Sequence, residues 1–527
     1  MVEAPERPSP AARVRTSPFA VARNAWRGLT SMRTALVLLF LLAVAALPGA
    51  LLPQRSLNQR LVEQYFTDHP ALAPLLDAVG LFDVFGSPWF AAVYLLLMVS
   101  LAGCVLPRTL EHGRALRAAP VATPRNLGRL PHHATGTLDE EPDATAARVR
   151  GLLRGWRIAE TAPGEFSAEK GYLREAGNLV FHLSLIGLLV GFAAGKLFGY
   201  EGNVIVLTGS QFCNSGILTY DTFRAGLRVD GTRLEPFCLR VNDFEATYLP
   251  NGQAADYRAA IGYQTAEDLA AGRVDTWRPY PLAVNSPLRT GGLRVYLLDH
   301  GYAPRFTVTF PDGEARTGEV QWRPVDRATL LSEGATKFER PGVTDEQVRR
   351  NTQLAITGLL APTSSGGPVV TSVFPALRDP EVAIDVLVGD LGLDDGRGQS
   401  IFQVDRRQID SGELKRVARA NLVPGEQLTL DDGTVVRFDG VEQWVGLQIS
   451  HDPGQVWVLA FAVTMLIGIT LSLTVRRRRF WVRLRPGSGG ARTVVEIGGL
   501  ARTDRAGYGE EFDRLQAEII DTRAKGR

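Results

Sequence analysis

The sequence predicts a polytopic α-helical membrane protein of four spans, carrying a large extracytoplasmic all-β domain and a small cytoplasmic α/β element. Three observations predict it. Four stretches of 19–22 residues hold no Lys, Arg, Asp or Glu. Arginine is unevenly shared among the segments between them. The longest of those segments alternates apolar and polar residues. The chain has 527 residues, 45% apolar and 22% charged, which is a globular rather than a disordered composition. Its net charge of +2 excludes the basic surplus a nucleic-acid binder needs. No P-loop, GxGxxG, GxSxG, HExxH, CxxC or zinc-spaced cluster occurs.

The apolar stretches are 34–52, 88–106, 177–195 and 454–475. About 20 residues at ~1.5 Å each cross a ~30 Å hydrocarbon core. The first is too long, and too far from the start, for a cleaved signal peptide, so it reads as an uncleaved anchor. Residues 1–33 carry Arg7, Arg13, Arg15, Arg23, Arg27 and Arg33, and residues 107–176 carry ten Arg and one Lys. Residues 53–87 carry only Arg55 and Arg60, and Arg476 to Arg479 follow the last span. Cationic segments stay inside. The tail 1–33, the segment 107–176 and the tail 476–527 are therefore expected in the cytoplasm of a plasma-membrane protein. Residues 53–87 and 196–453 are expected outside. Trp89 and Trp457 fall near outer ends of spans and Trp481 just past an inner one, as an interfacial belt would place them.

Runs such as NVIVLTG, FTVTFPDG and QLTLDDGTVVRFDG in 196–453 predict short antiparallel strands in a sandwich or barrel. Residues 326–352 read as a helical or looped insertion. Cys213 and Cys238 share this exported segment, which favours a disulfide over two buried thiols. Cys104 reads as a small apolar residue of the second span. In 53–87, Pro70 and Pro74 divide two short amphipathic helices lying on the outer membrane face. Segments within 132–170 read strand, helix, strand, strand, and the C-terminal tail adds a strand and a helix. These distant pieces can form one α/β layer with Leu515, Ile519 and Ile520 packed on it. Residues 1–20, rich in Pro, Ala and Arg, read as disordered.

Of seven histidines only His182 lies within a span, five residues past Gly177 and so ~8 Å along the helix. An imidazole in hydrocarbon needs a partner. Haem ligation, a proton relay and a bond to Ser184, Asn178 or another span all satisfy it.

The spans together resemble the ResB family, the smaller membrane subunit of system II cytochrome c biogenesis, and the segments Cys213-Asn214 and Val241-Asn242-Asp243-Phe244 resemble its actinobacterial members. The residues concerned are Ser31 to Leu36, Pro48-Gly49, Pro53-Gln54, Ser87 to Phe90, Gly103 to Arg108, Gly171 to His182 and Asp452-Pro453-Gly454. The match covers about 22–490. The resemblance implies a larger polytopic partner of the ResC or CcsA type with a Trp-rich haem-handling motif. The pair would carry haem b outward and attach it to CxxCH of apocytochrome c, so this chain is at most one subunit of a synthase. A thioredoxin-like reductant is a further implied partner. The family's haem-ligating histidine falls on His182, with the second axial ligand supplied by the partner and edge arginines facing the propionates. The family's external haem histidines belong to the partner, so His300 and His451 are given no such role. Asn285-Ser286-Pro287-Leu288 stands where relatives often carry a histidine. The alternative function is a non-catalytic scaffold whose β-domain recruits apocytochrome c or a thiol reductant.

Overall fold

A computed structural model describes residues 18–56, 59–117, 119–393, 396, 399–487, 492–501 and 508–520. The chain divides into two units, residues 1–192 with 456–527, and residues 193–455.

In the first unit, the described residues include four helices long and apolar enough to cross a membrane: Met32–Leu51, Pro88–Glu111, Leu173–Phe198 and Gln455–Thr474. Leu36, Phe40, Leu459 and Leu473 on them are exposed, a surface stable only in lipid. The helices do not end where the apolar runs end. The second continues past Pro107, through Arg108 and Glu111, to Arg117. The first begins at a Ser31 cap whose Oγ accepts from Thr34 N at 3.2 Å.

Small residues and single polar contacts hold the spans together, as expected where lipid removes the hydrophobic drive. Ser100 Oγ donates to Leu29 O at 2.6 Å, joining the second span to the start of the first. Tyr94 OH donates to Leu189 O, joining the second to the third. Below it Leu101, Val105 and Leu189 pack with Met98, Cys104, Leu185 and Ile186. The third and fourth meet where a Cβ on Gly177 would lie 2.8 Å from Gly468 O, and Ser184 Oγ stands 2.8 Å from Thr464 Oγ1.

Between the first two spans, helices Gln59–Asp68 and Ala73–Ala78 enclose Val62, Ala73 and Phe82. Gln54 is buried and organises this loop. Its Nε2 donates to Leu81 O at 3.0 Å and its Oε1 accepts from Val84 N at 3.1 Å.

The distant segments around 132–170 and 478–520 form one antiparallel sheet, in the order His132–Leu138, Thr493–Ala501, Arg478–Pro486, Glu165–Lys170, Arg157–Ala162. Helices Pro142–Leu152 and Tyr508–Ile520 cover it through Val149, Phe512, Leu515 and Ile519, with Ile520 at the edge. Trp481 belongs to this sheet rather than to a membrane belt. It is buried, and its Nε1 donates to Val121 O at 3.1 Å. A second correction concerns the N-terminus. Residues 1–17 lie outside the described residues, but Pro18–Leu29 is a helix, its proline at the first position where no N–H is needed.

The second unit is antiparallel β-structure. Its longest strands, Leu293–Thr309 and Val435–His451, pair along their whole length. One end, with Val295, Leu297, Val445, Leu447 and Ile449, packs in a core with the sheet of Cys238–Tyr248, Ala254–Gln264 and Arg278–Ala283. The other end, with Phe306, Val308, Val436 and Phe438, packs in a second core with Ser332–Phe338, Leu354–Ala361 and Glu381–Gly389. A register shift between Leu297 and Asp299 lies at the changeover. Such a bulge re-aims side chains from one core to the other. Residues 326–352 are not an insertion. Ser332–Phe338 is a strand of the five-stranded sheet, and only Glu346–Asn351 is helical. Its small residues hide the β pattern because Trp322 lies over Gly334, where a Cβ would approach its ring to 2.3 Å.

Candidate functional site

Gly171 opens the segment that carries His182. It sits at φ +92°, and a Cβ there would lie 2.1 Å from Arg476 O. Only glycine meets both demands. The backbone turns there from the strand Glu165–Lys170 into the third span.

Around this turn lies an ion-pair network. The Glu169 side chain is 1% exposed, with Oε2 2.8 Å from Arg477 Nη2 and Oε1 2.7 Å from Arg479 Nε. Tyr172 OH donates to Glu169, and Arg477 also pairs with Glu175. The Arg477 guanidinium lies over the Tyr172 ring at 4.9 Å. Burial pushes the Glu169 carboxyl up, but the bonds from Tyr172 and Arg477 outweigh it and hold the pKa below the ordinary value. Burial and the Glu169 charge push the Tyr172 phenol up. Arg477 and Arg479 are thus committed to protein carboxylates. Arg174, half-buried, makes no ion pair among the described residues.

His182 follows two turns later. Its Nδ1 is 2.8 Å from the carbonyl oxygen of Asn178, one turn back. A carbonyl only accepts, so Nδ1 carries the proton, and the tautomer this contact favours has its lone pair on Nε2. Nε2 has no hydrogen bond among the described residues. Phe181 meets the ring edge-on at 5.0 Å. Of the simple partners the sequence allowed, the structure uses the backbone of Asn178, while Ser184 bonds Thr464 instead. On the helix, Leu185, Ile186 and Leu189 continue the His182 stripe at i+3, i+4 and i+7. Those three pack on Met98, Leu101 and Cys104. Cys104 Sγ donates to Leu101 O of its own helix at 3.2 Å.

The other sequence-singled residues lie in the β-structure. Cys213 and Cys238 are joined in a disulfide across a strand pair, their Cα atoms 4.1 Å apart. His451 ends its strand stacked on Tyr200 at 5.5 Å. His300 is 3% exposed among Phe244, Tyr248, Tyr257 and Tyr302, with Nε2 2.5 Å from Tyr248 OH. Burial pushes its pKa down to about 4. No group of three metal-ligating side chains occurs among the described residues. The Glu169–Arg477 pair escaped the sequence reading, where the run Arg476 to Arg479 signified only topology.

The sequence profile of the ResB-like family matches residues 32–513. The chain belongs to the ResB-like family. Three relatives are each called cytochrome c biogenesis protein CcsB. That of Paulinella chromatophora is 23% identical over 512 residues, spanning 94% of this chain and 99% of its own length. That of a Picosynechococcus is 24% identical, over 96% of this chain and 93% of its own. A Prochlorococcus marinus protein is 22% identical, over 92% and 96%. Several residues that carry the ResB-like resemblance have structural roles: Gln54 ties the first loop, Gly171 makes the turn, and Glu175 meets Arg477. In the second unit Asp452 Oδ1 accepts from Gly454 N at 2.8 Å, and a Cβ on Gly195 would lie 2.7 Å from the same carboxylate.

Proposed function

We propose that this chain is the smaller membrane subunit of a system II haem-delivery and cytochrome c synthetase complex. With a larger polytopic partner it carries haem out of the cytoplasm and supports its attachment to CxxCH of exported apocytochrome c. The arginine distribution supports cytoplasmic termini and an extracytoplasmic β-structure. Family membership and the naming of the relatives as cytochrome c biogenesis proteins support the process.

The observation that carries the role of His182 is its tautomer. A metal-ligating imidazole donates from one nitrogen to a carbonyl or carboxylate and coordinates through the other. Nδ1 bound to Asn178 O and Nε2 without a hydrogen bond among the described residues fit that donor set. Haem held there would supply the iron that the imidazole ligates and the vinyl groups to which the cytochrome thiols add. The protein's part is to hold the imidazole. The turn at Gly171 and the Glu169–Arg477 pair fix the start of the helix, and Gly177 against Gly468 fixes its flank. Arg174, with no carboxylate partner among the described residues, is the arginine free to meet a propionate. The spans contain one histidine, so any further protein ligand to the iron would come from the partner.

The test is His182→Ala in the complex purified with its partner. The expected result is loss of haem, or a five-coordinate spectrum, with failure of holocytochrome assembly and restoration of haem binding by added imidazole. Removing an imidazole makes the span more apolar, so membrane insertion is expected to persist. Full haem occupancy and normal cytochrome yield would make His182 structural and overturn the assignment.

A further inference from the structure

We propose that the helix Pro18–Leu29 is an interfacial anchor that lies on an anionic lipid surface beside the first span. At 3.6 residues per turn, Phe19, Ala22, Ala25, Trp26 and Leu29 fall on one side, with Val21 at its margin. Arg23, Asn24 and Arg27 fall on the other. Phe19 is 87% exposed, and Val21 and Trp26 are each 55% exposed. A water-facing helix with that side bare is not stable in isolation at 12 residues. An apolar stripe opposite arginines is the pattern of a helix seated at the boundary of headgroups and acyl chains.

The lipid surface is the occupant because the helix is tied to a span at that depth. Gly28 O accepts from Ser31 N at 3.2 Å and from Thr34 Oγ1 at 2.7 Å, so the corner between the two helices is closed. The corner is pinned to the second span as well. Ser100 Oγ donates to Leu29 O, and a Cβ on Gly103 would lie 2.2 Å from Thr30 Cγ2. Ser100 and Gly103 precede Arg108, the first charged residue after that apolar run, by eight and five positions. The corner therefore lies roughly 8–12 Å inside the level of Arg108. That is the depth at which Trp26 and Leu29 meet acyl chains while Arg23 and Arg27 reach phosphates. The arginines are complementary to anionic headgroups.

The test uses the full-length protein, with Cys104→Ala, in nanodiscs of phosphatidylglycerol and phosphatidylcholine. A nitroxide is placed by Ala22→Cys on the apolar side or Asn24→Cys on the polar side. Collision with oxygen is expected to exceed collision with an aqueous nickel chelate severalfold at position 22, and the reverse at 24. Arg23→Gln with Arg27→Gln is expected to lower the oxygen-to-nickel ratio at 22. Loss of each basic charge shifts surface binding by about fivefold, ~30-fold for the pair. High nickel collision at both positions would put the helix in water and overturn the proposal. Low collision with both reagents at 22 would put protein over it, which overturns it equally. The same ratio in pure phosphatidylcholine would overturn the preference for anionic lipid.

Discussion

Glu169 and Arg477 stand 2.8 Å apart at the point where the strand Glu165–Lys170 leads into the third span and the fourth span leads into the strand Arg478–Pro486. The pair joins residues far apart in sequence, and Arg479, two residues on and within the strand Arg478–Pro486, completes it. A buried carboxylate between two guanidiniums sets where both spans meet the small sheet.

Glu169→Ala is expected to destabilise this junction by about 2–4 kcal/mol, because it leaves the partly buried Arg479 without a carboxylate and Arg477 with Glu175 alone. Glu169→Gln is expected to cost less, since it keeps the shape and one acceptor. Glu169 has a folded pKa below its unfolded value of 4.5. Its contribution is therefore fully present above pH 4.5 and is lost as pH falls through the folded value. Thermal unfolding in detergent between pH 3 and 7 checks this. A wild-type acid loss no larger than that of Glu169→Gln would count against it.

Gly468→Val is expected to separate the third and fourth spans. A Cβ on Gly468 would lie 2.6 Å from the backbone nitrogen of Phe181, the residue before His182. Overpacking of this kind costs about 1–3 kcal/mol. Haem retention in the purified complex is expected to fall with it, whereas Leu459→Val, on an exposed position of the same helix, should leave both unchanged.

His300 gives the β-structure its own response to acid. Its pKa is pushed down to about 4 from 6.5 by burial. Between those values the unfolded chain binds the proton and the folded chain does not, so stability falls as pH drops from 6.5 towards 4. The loss is about 3 kcal/mol at the acid end. His300→Phe is expected to flatten this part of the pH profile of domain melting. A profile unchanged by the substitution would assign the acid sensitivity elsewhere.

Topology is checked by cysteine labelling of intact cells with an impermeant maleimide. Val417→Cys and Thr67→Cys are expected to react. Ala119→Cys and Glu510→Cys are expected to react only after permeabilisation. Labelling at 119 from outside would reverse the orientation.

The spans were legible because hydrocarbon permits few residue types, so composition alone marks them. Strands such as Val435–His451 were legible by alternation. Ser332–Phe338 was not, since its Gly334 and Ala335 show no alternating bulk, and its place is set by Trp322 from another segment. His182 stood out as an imidazole in an apolar run, but which nitrogen keeps the lone pair depends on the Asn178 carbonyl. The Glu169–Arg477 pair leaves no local trace, because neither residue's neighbours encode the other. The helix Pro18–Leu29 was masked by the proline-rich composition before it.

The small sheet imposes an order on biosynthesis. Its central strand, Arg478–Pro486, pairs with Glu165–Lys170 on one side and Thr493–Ala501 on the other. Roughly 300 residues separate Glu165–Lys170 from this central strand, so at ~5–20 residues per second the ribosome needs about 15–60 s to deliver it. During that interval the hairpin of Arg157–Ala162 and Glu165–Lys170 presents an unpaired edge, and Glu169 faces water without its arginines. A nascent chain halted before residue 478 keeps that edge open, which makes the hairpin the natural place for quality-control proteases and chaperones to recognise an unfinished molecule.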